Sequence, residues 1–218
     1  MPRETFQQEL DELIADVIGL GTEVASSLES AVEAMISHEA RVVEAELGVD
    51  ARYKARGAEI ERACMIMQAR QAPVARDLRV LFSAQSVTNH LVRSGALIEH
   101  VCHAIFENAE LDKDEDLVAL LTEMAKAARN IFNEGLGIFR DLNADRARDL
   151  RAKDDKVDLL YSEALNLIAN PPEGHGGAPE WRMRAAQMVH YLERVSDRGV
   201  AIGAATVFLV TGERMGAP

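Results

Sequence analysis

Apolar residues return at three- and four-residue steps along nearly the whole chain, which is the period of an amphipathic helix and not of a strand. Between Thr5 and Ser37 the line is Phe6, Leu10, Leu13, Val17, Val24, Leu28, Val32 and Met35. It predicts one long helix, with Gly19 and Gly21 each weakening it by about 1 kcal/mol relative to Ala. A second helix is predicted over Glu39–Arg70. Its first half is poorly patterned and carries Gly48 and Gly57, so a bend or break belongs there. Gln71-Ala72-Pro73 ends it, and Pro73 suits the entry to the next helix. That third helix, Val74–Glu107, lines up Leu78, Leu81, Val87, Leu91, Leu97, Val101 and Ile105. The charged stretch Asn108–Asp114 then interrupts the pattern. A fourth helix over Glu115–Asp141 carries Leu117, Leu120, Met124, Ala128, Ile131 and Ile138. A fifth, Ala144–Ala169, follows Asn143 as N-cap. The loop Asn170–Pro179 leads to a sixth over Glu180–Thr211.

Three long helices, a charged break and three long helices predict an all-α chain of two tandem three-helix bundles, an internal duplication spanning 1–108 and 109–218. Composition agrees. The 218 residues are 48% hydrophobic and 28% charged with only 5% aromatics, which favours helices. The net charge of −12 opposes binding to nucleic acid or anionic lipid. The charge-free run Gly199–Gly212 is too short for a membrane span, so no membrane insertion is expected. Cys64 and Cys102 fit buried free thiols in a reducing compartment, and the N-terminus lacks an apolar signal core. The expected location is the cytoplasm.

The pattern is broken where carboxylates sit among apolar positions. Asp154 lies on the line Leu150, Val157, Tyr161, Ala164, Ile168, with Asp158 one turn on. In the sixth helix Glu193 and Asp197 flank the line Val189, Leu192, Ser196, Gly199, Gly203. Residues four apart share a helix face, and a carboxylate facing a core needs a partner. The fifth and sixth helices are joined by a short loop, so the two pairs can meet. An all-oxygen donor set suits iron, manganese, magnesium or calcium, with zinc also open. The alternative is a solvated face, its charges paired with Arg194, Arg198 and Lys153. His100 and His103 beside Cys102 form a weaker candidate for a soft metal. No Walker loop, nucleophile elbow, Cys-x-x-Cys, dinucleotide fingerprint or Glu-x-x-His occurs, so no catalytic machinery is legible.

Met67–Ala84, MQARQAPVARDLRVLFSA, resembles the turn-and-helix signature of the PhoU family, matching it at Gln71, Pro73, Ala75, Asp77, Leu78 and Arg79. Leu192–Ile202 and Lys153–Tyr161 are similar to further family motifs. The resemblance implies a non-enzymatic, cytoplasmic negative regulator of phosphate uptake and of the phosphate-starvation response. Its implied partners are the ATPase of a phosphate ABC transporter and a sensor histidine kinase, with a homodimer as a further candidate assembly. It also implies metal held by paired acidic motifs in each bundle. By position the second bundle keeps the set Asp154, Asp158, Glu193 and Asp197, although Arg198 stands where the family usually has His. The first bundle has Val92 and Ala96 at the corresponding acidic positions, and Lys54 follows Asp50. A metal ion (iron, manganese, magnesium or zinc) is therefore expected in the C-terminal bundle only. The alternatives are a metal-free helical adaptor and a carboxylate-bridged metal enzyme.

Overall fold

The computed structural model describes residues 3–109, 111, 113–173 and 177–215. Six long helices carry the chain: α1 (Arg3–Ser37), α2 (Asp50–Gln71), α3 (Ala75–Glu107), α4 (Glu115–Asp141), α5 (Ala144–Ala169) and α6 (Pro179–Thr211). Among the described residues there is no strand. Parts of the charged break (110 and 112) and of the predicted loop (174–176) lie outside the described residues.

The predicted second helix is split. A 3-10 segment, Ala40–Glu46, precedes α2, and Gly48 between them takes φ 92. An L-residue is strained at that angle, and glycine is not. Only Val43 of the segment is buried, so little packing would hold an α-helix there. Its end is anchored instead by polar contacts. Ser27 and Ser30 of α1 both donate to the Glu46 carboxylate, Ser30 at 3.1 Å. Ser27 Oγ also lies 2.5 Å from the hydroxyl of the fully buried Tyr53.

Side-chain caps start α4 and α5, whereas Val49, Val74 and Ala178 before α2, α3 and α6 supply none. Asp114 accepts from the Leu117 amide at 3.0 Å and Asn143 from the Arg146 amide at 3.2 Å, each satisfying an orphan donor. Ala72 closes α2 in the left-handed region at φ 44, and Pro73 follows. Gly212 ends α6 at φ 81.

The first half packs α1 and α2 on α3, the second packs α4 and α5 on α6, and the two halves join along α3–α6 and α1–α4. One continuous apolar core runs through both. Two side chains of α3 bind carbonyls of α6: Arg79 Nε donates to Leu209 at 3.1 Å, and Ser83 Oγ to Ala205 at 3.3 Å. No described helix is long and apolar enough to cross a membrane.

Candidate functional site

Residues 170–178 connect α5 to α6, so the two helices lie antiparallel. Small residues set their spacing. A Cβ on Gly203 would sit 3.3 Å from Leu150 Cδ2 and 3.6 Å from Ala147 Cβ. Leu150, Val157, Leu160 and Ala164 of α5 are buried, and so are Leu192, Val195, Ser196 and Gly199 of α6. Asp154, one turn after Leu150, is half-buried in the seam. There Ser196 Oγ donates a short hydrogen bond to Asp154 Oδ1. Ser196 is 1% exposed, so its hydroxyl is held on the carboxylate rather than shared with solvent.

The other acidic side chains gather round this bond. Burial raises the pKa of Asp154, the Ser196 hydrogen bond opposes the rise, and the charges of Asp158, Asp197 and Asp155 add to it. Glu193 is raised by burial and then by Asp197, with Arg194 opposing and Asp158 and Asp154 adding further. Asp197 is raised by burial, with Arg194 and Arg198 opposing and Asp158 adding. Each of these three carboxylates thus feels Asp158, which lies on the exposed edge. This is the field of like charges held close together, and a bound cation would relieve it.

Two further observations bear on the donor set. Glu193 Oε2 is buried and accepts no hydrogen bond among the described residues. Its near cation is Arg194 Nε at 3.4 Å, off hydrogen-bond geometry, while Arg194 Nη1 reaches Asp197 Oδ2 at 3.5 Å. Arg194 is 47% exposed, so these pairs contribute at most about 1 kcal/mol each. Lys153, the other expected counter-ion, turns away: its Nζ binds both carboxylate oxygens of Glu134 on α4, at 2.7 and 2.8 Å. The donor chemistry therefore fits a hard cation. As placed, though, no group of three or more His, Cys, Asp or Glu side chains among the described residues is arranged to hold a metal ion.

The matching positions of the first half are built differently. Lys54 Nζ lies 2.5 Å from Asp50 Oδ2, occupying the place of a cation with a side chain. The Asp50 amide donates to Glu99 Oε2 at 2.6 Å, so Glu99 serves the start of α2. On α3, Val92 packs against Gly57, where a Cβ would come within 2.6 Å of Val92 Cγ2. An apolar contact thus stands where the second half presents Glu193.

The histidine candidates disperse. Cys102 is buried in the core, which pushes its thiol up to about 12. His103 pairs with Glu107 at 3.2 Å and approaches Glu99 at 3.7 Å, and His100 stacks on Tyr191. His90, also on α3, matches no motif position, and burial, with Arg198 and Arg93 beside it, lowers its pKa to about 4. The role of Ser196 is not legible from spacing, although a hydroxyl on an otherwise apolar helix line is a signal for it.

Comparison with known proteins places this architecture. The PhoU domain model matches the chain twice, over residues 17–105 and 121–206. A phosphate-specific transport system accessory protein, PhoU homolog 1, of Methanothermobacter thermautotrophicus is 27% identical over 217 residues, covering 98% of this chain and 97% of that protein. The PhoU homolog of Clostridium acetobutylicum is 25% identical over 216 residues, covering 99% and 98%. The crystal structure of the phosphate transport system regulatory protein PhoU from Streptococcus pneumoniae superposes with a TM-score of 0.85 at 24% identity, covering 97% of this chain and all (100%) of that one. PhoU from Pseudomonas aeruginosa gives 0.87 at 22%, covering 95% and 100%.

Proposed function

The chain belongs to the PhoU family, and on that premise we propose that it is a negative regulator of phosphate uptake and of the phosphate-starvation response. It would act by contact with the ATPase of a phosphate ABC transporter and with a sensor histidine kinase, not by catalysis. The observation that carries this reading is the doubled domain match, together with end-to-end coverage of relatives named as accessory proteins of phosphate transport. The surface supports it. Val74 is 73% exposed in the α2–α3 turn, and Met65 and Phe82 are exposed on the flanking turns of α2 and α3. Large apolar side chains left exposed on these helices are suited to contact with a partner protein. The test is deletion of the gene with a phosphate-responsive promoter reporter in phosphate-replete cells. Derepression supports the reading, and unchanged repression sinks it.

Within this function the C-terminal bundle would hold a metal ion through Asp154, Asp158, Glu193 and Asp197. Raised carboxylate pKa values, the unpartnered Glu193 Oε2 and the Ser196 bond that orients Asp154 support it. The bound ion would supply positive charge that ties α5 to α6. The Lys54–Asp50 pair supports confining metal to this half. A second reading, the metal-free adaptor, is favoured by Arg194, which already spans Glu193 and Asp197 as a built-in counter-ion. Elemental analysis of wild type against Asp158→Ala/Asp197→Ala separates the two readings. Equal metal content favours the adaptor.

A further inference from the structure

Arg194 touches both α6 carboxylates of the candidate metal centre. Its Nε lies 3.4 Å from Glu193 Oε2, and its Nη1 donates to Asp197 Oδ2 at 3.5 Å. Both contacts are long for charge-assisted pairs, which usually measure about 2.7–2.9 Å. Both are also made within one turn of α6, and the Arg194 side chain is half-exposed. A change of rotamer alone therefore carries the guanidinium into solvent, with no movement of the helix. The lysines of α5 are held elsewhere. Lys153 Nζ binds both carboxylate oxygens of Glu134, and Lys156 Nζ pairs with Glu123 at 2.9 Å. The first half shows the contrast, because Lys54 Nζ lies only 2.5 Å from Asp50 Oδ2.

The guanidinium is an incomplete answer to the charge around it. Among the described residues it pairs with Glu193 and Asp197 and with neither Asp154 nor Asp158 on α5. It brings one positive charge, whereas a divalent cation brings two and can take oxygens from both helices. We propose that Arg194 is an exchangeable counter-ion, which occupies the α6 side of the site in the metal-free protein and is displaced into solvent when a divalent cation binds. This rests on the reading of Asp154, Asp158, Glu193 and Asp197 as metal ligands. Arg194 then sets how much metal the chain needs. A site that it closes about nine-tenths of the time has an apparent dissociation constant about ten-fold above the intrinsic one.

The experiment is calorimetric titration of the full metal-free chain, wild type and Arg194→Gln, with manganese. Loss of the competitor is expected to tighten binding about ten-fold. Removing a positive charge favours a cation even without exchange, so wild type supplies a second readout. A released guanidinium reacts with phenylglyoxal faster than a paired one. Modification of Arg194, followed by mass spectrometry, is therefore expected to rise along the calorimetric isotherm, while Arg52 in the first half stays constant. Equal or weaker manganese binding by Arg194→Gln, or Arg194 modification that fails to rise, would overturn the exchange and leave the metal reading standing. Manganese binding to neither protein would sink the metal reading, and the exchange with it.

Discussion

Ser196 donates its hydroxyl proton to Asp154 across the α5–α6 seam, and this bond fixes which oxygen of Asp154 remains for anything else. Ser196→Ala removes it without adding volume. Asp154 then loses the one interaction that opposes its raised pKa, so the carboxylate is protonated more readily. The expected result is a loss of about 1 kcal/mol of stability. Affinity for manganese or ferrous iron should fall about ten-fold, the usual effect of losing a partner that orients a ligand. Chelator-competition titration alongside thermal unfolding measures both. Unaltered metal affinity would remove Asp154 from the ligand set.

Asp197 gives a prediction with a definite sign. Its folded pKa is raised above the unfolded value by burial and by Asp158, so the folded state holds the proton more tightly. That contribution is fully present below the ordinary carboxylate pKa and is lost as pH rises through the raised folded value. Metal-free wild type and Asp197→Asn should therefore be equally stable in acid, and the variant should lead as pH approaches neutrality. Asp197 is 41% exposed, so solvent screening limits the gain to a few tenths of a kcal/mol. Added manganese should reverse the order. Unfolding midpoints across the pH range, with and without metal, check the sign. A wild type that stays ahead at neutral pH without metal refutes it.

The helices were legible because a 3.6-residue apolar period survives in every one of them, and Gly48 marked the break before α2. Asp154 was legible as a carboxylate on an apolar line. The rest depends on relations between elements. Lys153 could have reached either neighbour from its place on α5, and only the position of α4 sends it to Glu134. Arg79 was visible as part of a motif, but its role at the end of α6 requires the α3–α6 packing. A cavity beside Trp181 draws its lining from α1, the 3-10 segment, α3, the α3–α4 connection, α4 and α6, so no local pattern could announce it.

Gly199 and Gly135 set the crossing of α4 and α6. A Cβ on Gly199 would stand 2.8 Å from Phe132 Cα and 2.9 Å from the Ile131 carbonyl oxygen, and one on Gly135 only 2.1 Å from the Gly199 carbonyl oxygen. These are backbone atoms and cannot rotate aside. Gly199→Ala should cost about 3 kcal/mol and loosen the helix that carries Glu193 and Asp197. Gly137→Ala provides the contrast. Its Cβ would meet nothing nearer than Arg140 Nη2 at 4.0 Å, so it should stabilise α4 by about 0.5–1 kcal/mol. Denaturant unfolding of the two variants reads both values, and equal effects would mean that α4 and α6 do not cross so closely.

Arg79 Nε holds the Leu209 carbonyl at 3.1 Å, within the last turn of α6, where unpaired carbonyls concentrate negative potential. Arg79→Gln should therefore destabilise the chain by about 1 kcal/mol and expose the amides of the last α6 turn to faster hydrogen exchange. Exchange at the start of α6 should be untouched. Uniform acceleration along α6 would assign the loss to general packing instead.

Lys54 offers the sharpest test of why metal belongs to one half. Its ammonium sits on Asp50, whose amide is already bound to Glu99, so Lys54→Asp places a further carboxylate beside two others. The sequence then regains an acidic pair four residues apart, the spacing found at Asp154 and Asp158. Spacing alone should not be enough, because the facing positions on α3 are Val92 and Ala96, and Val92 is packed on Gly57. The expected result is a stability loss of about 1 kcal/mol from unpaired like charge, undiminished by manganese, with metal content equal to wild type. Recovery of stability on adding manganese would show that two carboxylates on α2 suffice, and the metal could no longer be confined to the C-terminal bundle.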